Sequence, residues 1–409
     1  MICRHCGSED MFNLVDLGTS PPSNAYVLKE NINSEEKWFP LKVKICSECF
    51  LCQTEDYSSG EDLFTEDYAY FSSFSQTMLD HSKQYSLEMI NNLNLDSNSL
   101  VVEVAANDGY LLQYFKEKNI PSIGVEPTKS TADAARNKGI EIIEEFFGVS
   151  LAKAMKENNK SADLIVGNNV LAHVPDINDF VKGASILLKE SGVVTYEIPY
   201  LVNLVKNNLF DTIYHEHYSY LTVNSVKNIF EANGLHLFDV ELIEVHGGSL
   251  RVFGERSDKQ VKTPISERAH KIIDDEKLKG FLSKDAYRGF QEKAEKVKNE
   301  FITFLIEAKN MNKKVIGFGA AAKGNTLINF SGIRSDLISA VVDTNPAKQG
   351  KYLPGSRIPI IDEETMKKLK PDYLIILPWN LQKEISNKTN YIKEWNGKWV
   401  VALPELKIL

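Results

Sequence analysis

The chain has 409 residues, 43% hydrophobic and 25% charged, and a formal net charge of -9. That length predicts two or three domains rather than one. The acidic balance argues against a broad basic surface, so no nucleic-acid partner is expected. No run approaches the roughly 20 apolar residues of a membrane span. The opening MICRHCGSED has no basic cluster ahead of an apolar run and does not read as a secretory signal, which gives cytoplasmic as the expected location.

Residues 1–75 are expected to form a small zinc-binding domain. All five cysteines fall within the first 52 residues, which suits one local device better than a disulfide framework. Cys3 and Cys6 form one Cys-x-x-Cys knuckle, and Cys46 and Cys49 form a second. Two such knuckles close a tetrahedral four-sulfur shell with no open position, so the zinc is structural rather than catalytic. Cys52 is left over and reads as a buried core thiol.

Residues 76–264 are expected to form the central domain. Met78, Tyr85, Met89 and Leu93 recur at helical spacing and predict an entering helix. LVVEVAAN, PSIGVEP, ADLIVGNNV and GVVTYEIPY then alternate with helical segments, which implies a mainly parallel sheet. LHLFDVELIE and GSLRVFGE follow without a helix between them and predict an antiparallel pair closing it, an ending that suits methyltransferases.

In VEVAANDGYLL, the small-residue loop after the first strand puts Glu103, Ala105, Asn107, Asp108 and Gly109 at the strand's carboxyl end, the usual ligand position in an open α/β sheet. Glu126 ends the next strand, where an acid accepts both ribose hydroxyls of an adenosine cofactor. A pyrophosphate wants Gly-x-Gly-x-x-Gly at a helix amino end, whereas AANDG offers a carboxylate there. That carboxylate tolerates a cationic sulfonium, so S-adenosylmethionine is favoured over NAD. Asn168 and Asn169 either touch the methionine end of the cofactor or cap the following helix. Phe147, with Phe146, either flanks adenine or packs in the core.

IYHEHYSYLT crowds two histidines, a glutamate and three tyrosines into ten residues. His215 and His217 share a face if the segment is extended, but no third metal ligand accompanies them. Acid–base chemistry fits better. Methylating a carbon requires removing its proton, histidine titrates in the required range, and tyrosine hydroxyls supply donors for an enolate oxygen. The competing reading is a satisfied polar core.

Residues 265–312 are charged with helical spacing and predict a helical bridge. Residues 313–409, with the apolar runs KVIGFGA, LISAVVD, DYLIIL and KWVVAL, predict a second, smaller doubly wound domain. GFGAAAKGNT followed by Asp343 is a weak dinucleotide fingerprint on its own. Lys323 adds a cation beside amide-rich backbone, which suits a diphosphate; the alternative is a glycine turn needed only for packing.

The paired knuckles CRHC and CSEC, VEVAANDGYLLQ, FDTIYHEHYSYLT, HGGSLRVF, GFGAAAKGNTLIN and VVDTNPAKQGKYLPGSRIPI, in this order along nearly the whole chain, resemble the sugar C-methyltransferases of the tetronitrose C-3 methyltransferase type. The resemblance implies an α/β protein: a zinc-bearing N-terminal domain, a central Rossmann-like methyltransferase domain, and a C-terminal Rossmann-like domain that helps hold a nucleotide-linked sugar, with the active site in the cleft between them. It implies His217 as the base, with Tyr214 and Glu216 beside it and Tyr70 as a further contact. It assigns Lys323, Asn325 and Arg251 to the substrate. The implied reaction is methylation of a nucleotide-diphosphate-linked 4-keto-deoxysugar at C-3, with thymidine as the first expectation for the base, guanosine the second, and a monomeric enzyme. Cys52 and the proline-free GAAAKGN loop depart from the family's usual pattern, and neither touches the implied chemistry. Competing readings are sugar O-methylation, an NAD-dependent sugar oxidoreductase using the third domain, and a non-catalytic zinc-containing binding protein.

Overall fold

The computed structural model describes residues 1–55, 57, 71–243 and 248–409. They build three sheets, matching the expected zinc-binding, methyltransferase and C-terminal α/β units.

The first sheet has the order β1 (Met11–Ser20), β2 (Phe39–Cys46), β3 (Cys52–Thr54) and β9 (Ser219–Tyr220), all antiparallel. In β2, Leu41, Val43 and Ile45 are buried and alternate with more exposed neighbours, so one face packs on the core. The fourth strand is supplied from far along the chain. β9 (Ser219–Tyr220) pairs with β3 through Cys52 opposite Tyr220 and Gln53 opposite Ser219.

The central sheet comprises β4 (Val101–Val104), β5 (Ser122–Val125), β6 (Glu141–Ile143), β7 (Ala162–Asn168), β8 (Leu188–Pro199), β10 (Leu235–Ile243) and β11 (Ser249–Arg256). Its order is β10-β11-β8-β7-β4-β5-β6, with β4 to β8 parallel and the β10–β11 pair antiparallel. The winding reverses between β4 and β7, so the loops at their carboxyl ends flank a crevice. The helix Gln76–Leu93 leads in. Ser75 caps it by accepting from the Met78 amide, Met78, Tyr85 and Met89 are buried, and Asn94 ends it in the left-handed region.

The expected bridge contains the helices Glu267–Leu278 and Phe290–Asn310. The second buries Phe290, Ala294, Val297, Phe301, Phe304, Leu305 and Ala308, a stripe at three- and four-residue spacing. It joins the first and third sheets: Gln291 exchanges hydrogen bonds with the Asp16 backbone, and Phe304 meets Tyr373 edge-on at 5.1 Å.

The third sheet contains β12 (Val315–Phe318), β13 (Val341–Val342), β14 (Ile360–Ile361), β15 (Tyr373–Ile376), β16 (Lys398–Val401) and β17 (Lys407–Ile408). Its order is β14-β13-β12-β15-β16-β17, parallel except for β17. The four predicted strands form its core, and β14 and β17 are short additions at the edges. Among the described residues, no helix is long and apolar enough to cross a membrane.

Candidate active site at the junction of three domains

The four knuckle sulfurs lie within 4.8 Å of one another, with Cys3 to Cys49 at 3.6 Å and Cys6 to Cys46 at 3.5 Å. A zinc with bonds of about 2.3 Å separates tetrahedral sulfurs by about 3.8 Å, so this set fits the ion. The two knuckles turn alike. The Gly7 amide donates to the Cys3 carbonyl and the Phe50 amide to the Cys46 carbonyl, and both Gly7 and Phe50 have positive φ. The Cys3–Cys49 hydrogen bond lowers the Cys3 thiol and raises Cys49 by the same contact, so the two sulfurs share a proton with the thiolate on Cys3. Cys52 is buried in β3, outside this cluster, and burial pushes its thiol up.

At the carboxyl end of β4, Ala105 and Asn107 take positive φ, opening the loop. Gly109 does so as well, and a Cβ there would collide with Ile140, so this position requires glycine. Glu126 is buried at the end of β5 and accepts from the backbone amides of Asn107 and Thr128, both at 3.0 Å. Burial raises its carboxyl above the usual range, while those amides oppose the shift. Glu103 is raised well above that range by burial and by the charges of Asp108 and Glu126. Asp108 reaches Lys138 at 3.4 Å. Three carboxyls around one loop fit a cationic sulfonium ligand and oppose a diphosphate.

Asn168 ends β7 with both side-chain polar atoms buried and without a hydrogen-bond partner among the described residues. Asn169 follows in the left-handed region and donates its amide to the Glu197 carbonyl. Phe147 is buried against Phe180, ring centroids 5.4 Å apart, whereas Phe146 is exposed.

The polar decapeptide folds into a tight turn and the start of β9. The His217 ring Nδ1 lies 2.8 Å from the Thr212 carbonyl. A carbonyl only accepts, so Nδ1 carries the proton and Nε2 keeps its lone pair. Burial holds His217 well below the ordinary histidine range, aided by His173 and Lys323, so the ring is neutral. Its faces and edges meet aromatic rings: Tyr214 at 3.9 Å, His173 at 4.6 Å and Tyr220 at 5.9 Å. Glu216 is 1% exposed, with one oxygen accepting from Asn24 at 3.1 Å, and burial raises its carboxyl. His215 turns away from this group toward the Pro40 carbonyl at 3.2 Å and the Phe39 ring, so the two histidines do not form a pair.

Lys323 stands in the first turn of the third domain's helix Ala322–Phe330. Its Nζ donates to Asn380 at 2.8 Å and lies 5.0 Å from the Trp379 ring centroid. Burial lowers its ammonium and the Asp211 carboxylate opposes this. Asn325 donates to the Ser23 carbonyl at 2.6 Å, and Thr326 donates to the Ile213 carbonyl at 2.8 Å. Asp343 accepts from the Ala320 amide at 2.8 Å, a bond that ties the glycine loop to the end of β13. Arg251 is held at the central sheet. It donates to Glu197 at 2.7 and 2.8 Å and to Glu241 at 2.9 Å, and its guanidinium stacks over Tyr85. Tyr70 lies outside the described residues.

Sequence reasoning missed Asn24, His173, Asp211 and Trp379. Asp211 lies in FDTIYHEHYSYLT and His173 shortly after ADLIVGNNV, but single residues of those types carry no spacing signal. Asn24 and Trp379 come from other domains, and only the folded chain brings them together.

Comparison with known proteins agrees with this architecture. Family models match as a zinc binding domain over residues 3–64, a methyltransferase domain over 81–240 and a C-methyltransferase C-terminal domain over 244–404. The C-methyltransferase NovU of Streptomyces niveus is 33% identical over all of this chain and 96% of that protein. Among solved structures, a S-adenosylmethionine-dependent methyltransferase from Clostridium acetobutylicum is 14% identical with TM-score 0.36, covering 44% of this chain and 92% of that one. The magnesium protoporphyrin IX methyltransferase of Synechocystis is 14% identical with TM-score 0.33, covering 44% and 79%. With a full-length relative and zinc, methyltransferase and C-methyltransferase models in sequence order, this chain belongs to the C-methyltransferase family whose motifs it carries, and it is an S-adenosylmethionine-dependent methyltransferase with a zinc-binding N-terminal domain.

Proposed function

We propose that the enzyme methylates C-3 of a nucleotide-diphosphate-linked 4-keto-deoxysugar, as a cytoplasmic monomer acting in branched-chain sugar biosynthesis. The observation that carries this reading is the His217 ring, neutral and held by Thr212 so that Nε2 is a bare acceptor. An unactivated sugar carbon is no nucleophile, but a carbon beside a ketone becomes one on losing a proton. His217 Nε2 takes the C-3 proton, and the electron pair left behind delocalises onto the C-4 oxygen as an enolate. Tyr214, stacked on His217, orients the base or donates to that oxygen, and Glu216, steadied by Asn24, supports the same group. Tyr70 is assigned as a further contact.

S-adenosylmethionine, when bound, supplies an electrophilic methyl group. We assign Glu103, Ala105, Asn107, Asp108 and Gly109 to its loop, Glu126 to its ribose, Phe147 to its adenine, and Asn168 and Asn169 to its methionine end. Lys323 and Asn325 are assigned to the substrate diphosphate, with thymidine as the first base to test and guanosine the second. Arg251 is the weakest of the substrate assignments, because its donors already serve Glu197 and Glu241.

The test follows exchange of the C-3 hydrogen of a thymidine diphosphate 4-keto-6-deoxysugar in heavy water, together with methyl transfer. A positioned base contributes about 10²- to 10⁴-fold, so His217→Ala is expected to lose that much in both rates with little change in binding. Near-normal turnover and exchange would remove His217 from the role.

A further inference from the structure

Asp211 is a buried acid that the chemistry above does not use. It has no exposed surface and sits in the single turn Phe210–Thr212 that opens the Tyr214–His217 segment. Its Oδ2 accepts from the indole Nε1 of Trp379 at 2.8 Å. Trp379 belongs to the third domain, where its ring also faces the Lys323 ammonium. Burial raises the Asp211 carboxyl to about 6, with Lys323, the Trp379 N–H and the amides of Asp211 and Thr212 all favouring the charged form. A carboxylate this deep is costly unless donors or nearby positive charge hold it, and the third domain supplies one donor, the Trp379 N–H, and the charge of Lys323.

The same turn sets the base. Thr212 follows Asp211 in this turn, its amide donating to the Leu209 carbonyl at 3.1 Å and its carbonyl lying on His217 Nδ1, so the turn that holds Asp211 is the turn that fixes the imidazole. Thr326 of the third domain grips the next carbonyl, that of Ile213. We propose that Asp211 is a positioning residue for His217, and that the third domain sets it through the Trp379 indole N–H. With that bond made, the turn presents the Thr212 carbonyl that keeps the His217 proton on Nδ1 and Nε2 bare. The third domain therefore completes the base as well as helping to hold the substrate. This deepens the assignment of His217 as the base and rests on it.

Trp379→Phe keeps a smaller aromatic ring beside Lys323 and removes the N–H. The test uses the full-length, zinc-loaded enzyme with ¹⁵N-labelled histidine. The His217 ring signals, assigned by their loss in His217→Gln, report the tautomer with no substrate present. The expected result is that the wild type shows one protonated Nδ1 and one bare Nε2, while Trp379→Phe shows averaging between tautomers. Turnover of the thymidine diphosphate 4-keto-6-deoxysugar should fall about tenfold in kcat, with KM for sugar and cofactor within about twofold. Where Trp379→Phe does not fold, Asp211→Ala is read in the same way, since it removes the acceptor for the indole. Provided His217→Ala is inactive, a retained tautomer, a kcat within twofold, or a rise in the sugar KM alone overturns the proposal. If His217→Ala is active, the base assignment falls, and the ring signals alone judge the positioning.

Discussion

Glu126→Ala is the substitution whose effects the structure divides most cleanly. In the free protein the carboxylate accepts two backbone amides, those of Asn107 and Thr128, each at 3.0 Å. Leaving a buried amide without its partner costs about 1–3 kcal/mol, so the free protein should lose roughly 2–6 kcal/mol of stability, less whatever water restores. If Glu126 also accepts from the cofactor ribose, one further hydrogen bond to a charged group disappears on binding, worth about 1.5–3 kcal/mol, or roughly 10- to 150-fold in Kd. Urea unfolding of the free protein measures the first quantity and calorimetric titration with S-adenosylmethionine the second. Glu126→Gln should fall between, because its amide oxygen still accepts one bond. A Glu126→Ala protein that is destabilised but binds the cofactor with unchanged Kd would refute the ribose assignment and leave Glu126 as a loop brace.

Metal analysis should find about one zinc per chain, and Cys46→Ser should lose metal and stability together; a folded protein that takes up no zinc would rule the site out. Lys323→Ala should raise KM for the sugar nucleotide while leaving S-adenosylmethionine affinity nearly intact, and the reverse pattern in a binding assay would make the third domain the cofactor site. His173 is half-buried, and desolvation lowers it to about 4 from an ordinary 6.5. It therefore favours the folded state fully above about pH 6.5, and that contribution is lost as pH falls toward 4, amounting to roughly 3 kcal/mol. Denaturant titrations of wild type and His173→Gln across that window should diverge at high pH and converge at low pH; parallel curves would contradict the burial argument.

Much of this architecture was legible because its signals are local. Apolar runs such as VVEV and VIGF, separated by helical spacing, give two wound sheets, and two Cys-x-x-Cys pairs give four converging sulfurs. The site was legible only by residue type. Spacing put His215 and His217 on one face, but the segment is a turn rather than a strand until Ser219, and the turn aims His215 at Pro40 and His217 at Thr212. Arg251 looked available for an anion because nothing in HGGSLRVF announces Glu197 and Glu241, which reach it from neighbouring strands. The contacts that bind the junction, Asn24 to Glu216 and Trp379 to Asp211, span 192 and 168 residues. No periodicity within one element encodes contacts of that range.

The pairing of β3 with β9 also constrains how the protein is made. The N-terminal sheet has all its zinc ligands once residue 49 is synthesised, yet the strand that covers its open edge is residues 219–220. During synthesis at about 5–20 residues per second, that edge waits roughly 10–30 seconds for its partner. Throughout that interval β3 offers unpaired backbone donors and acceptors to any passing strand. A fragment ending before residue 219 keeps the edge open permanently, so the zinc domain produced alone should bind metal and self-associate, and the region that closes it is the one that carries His217.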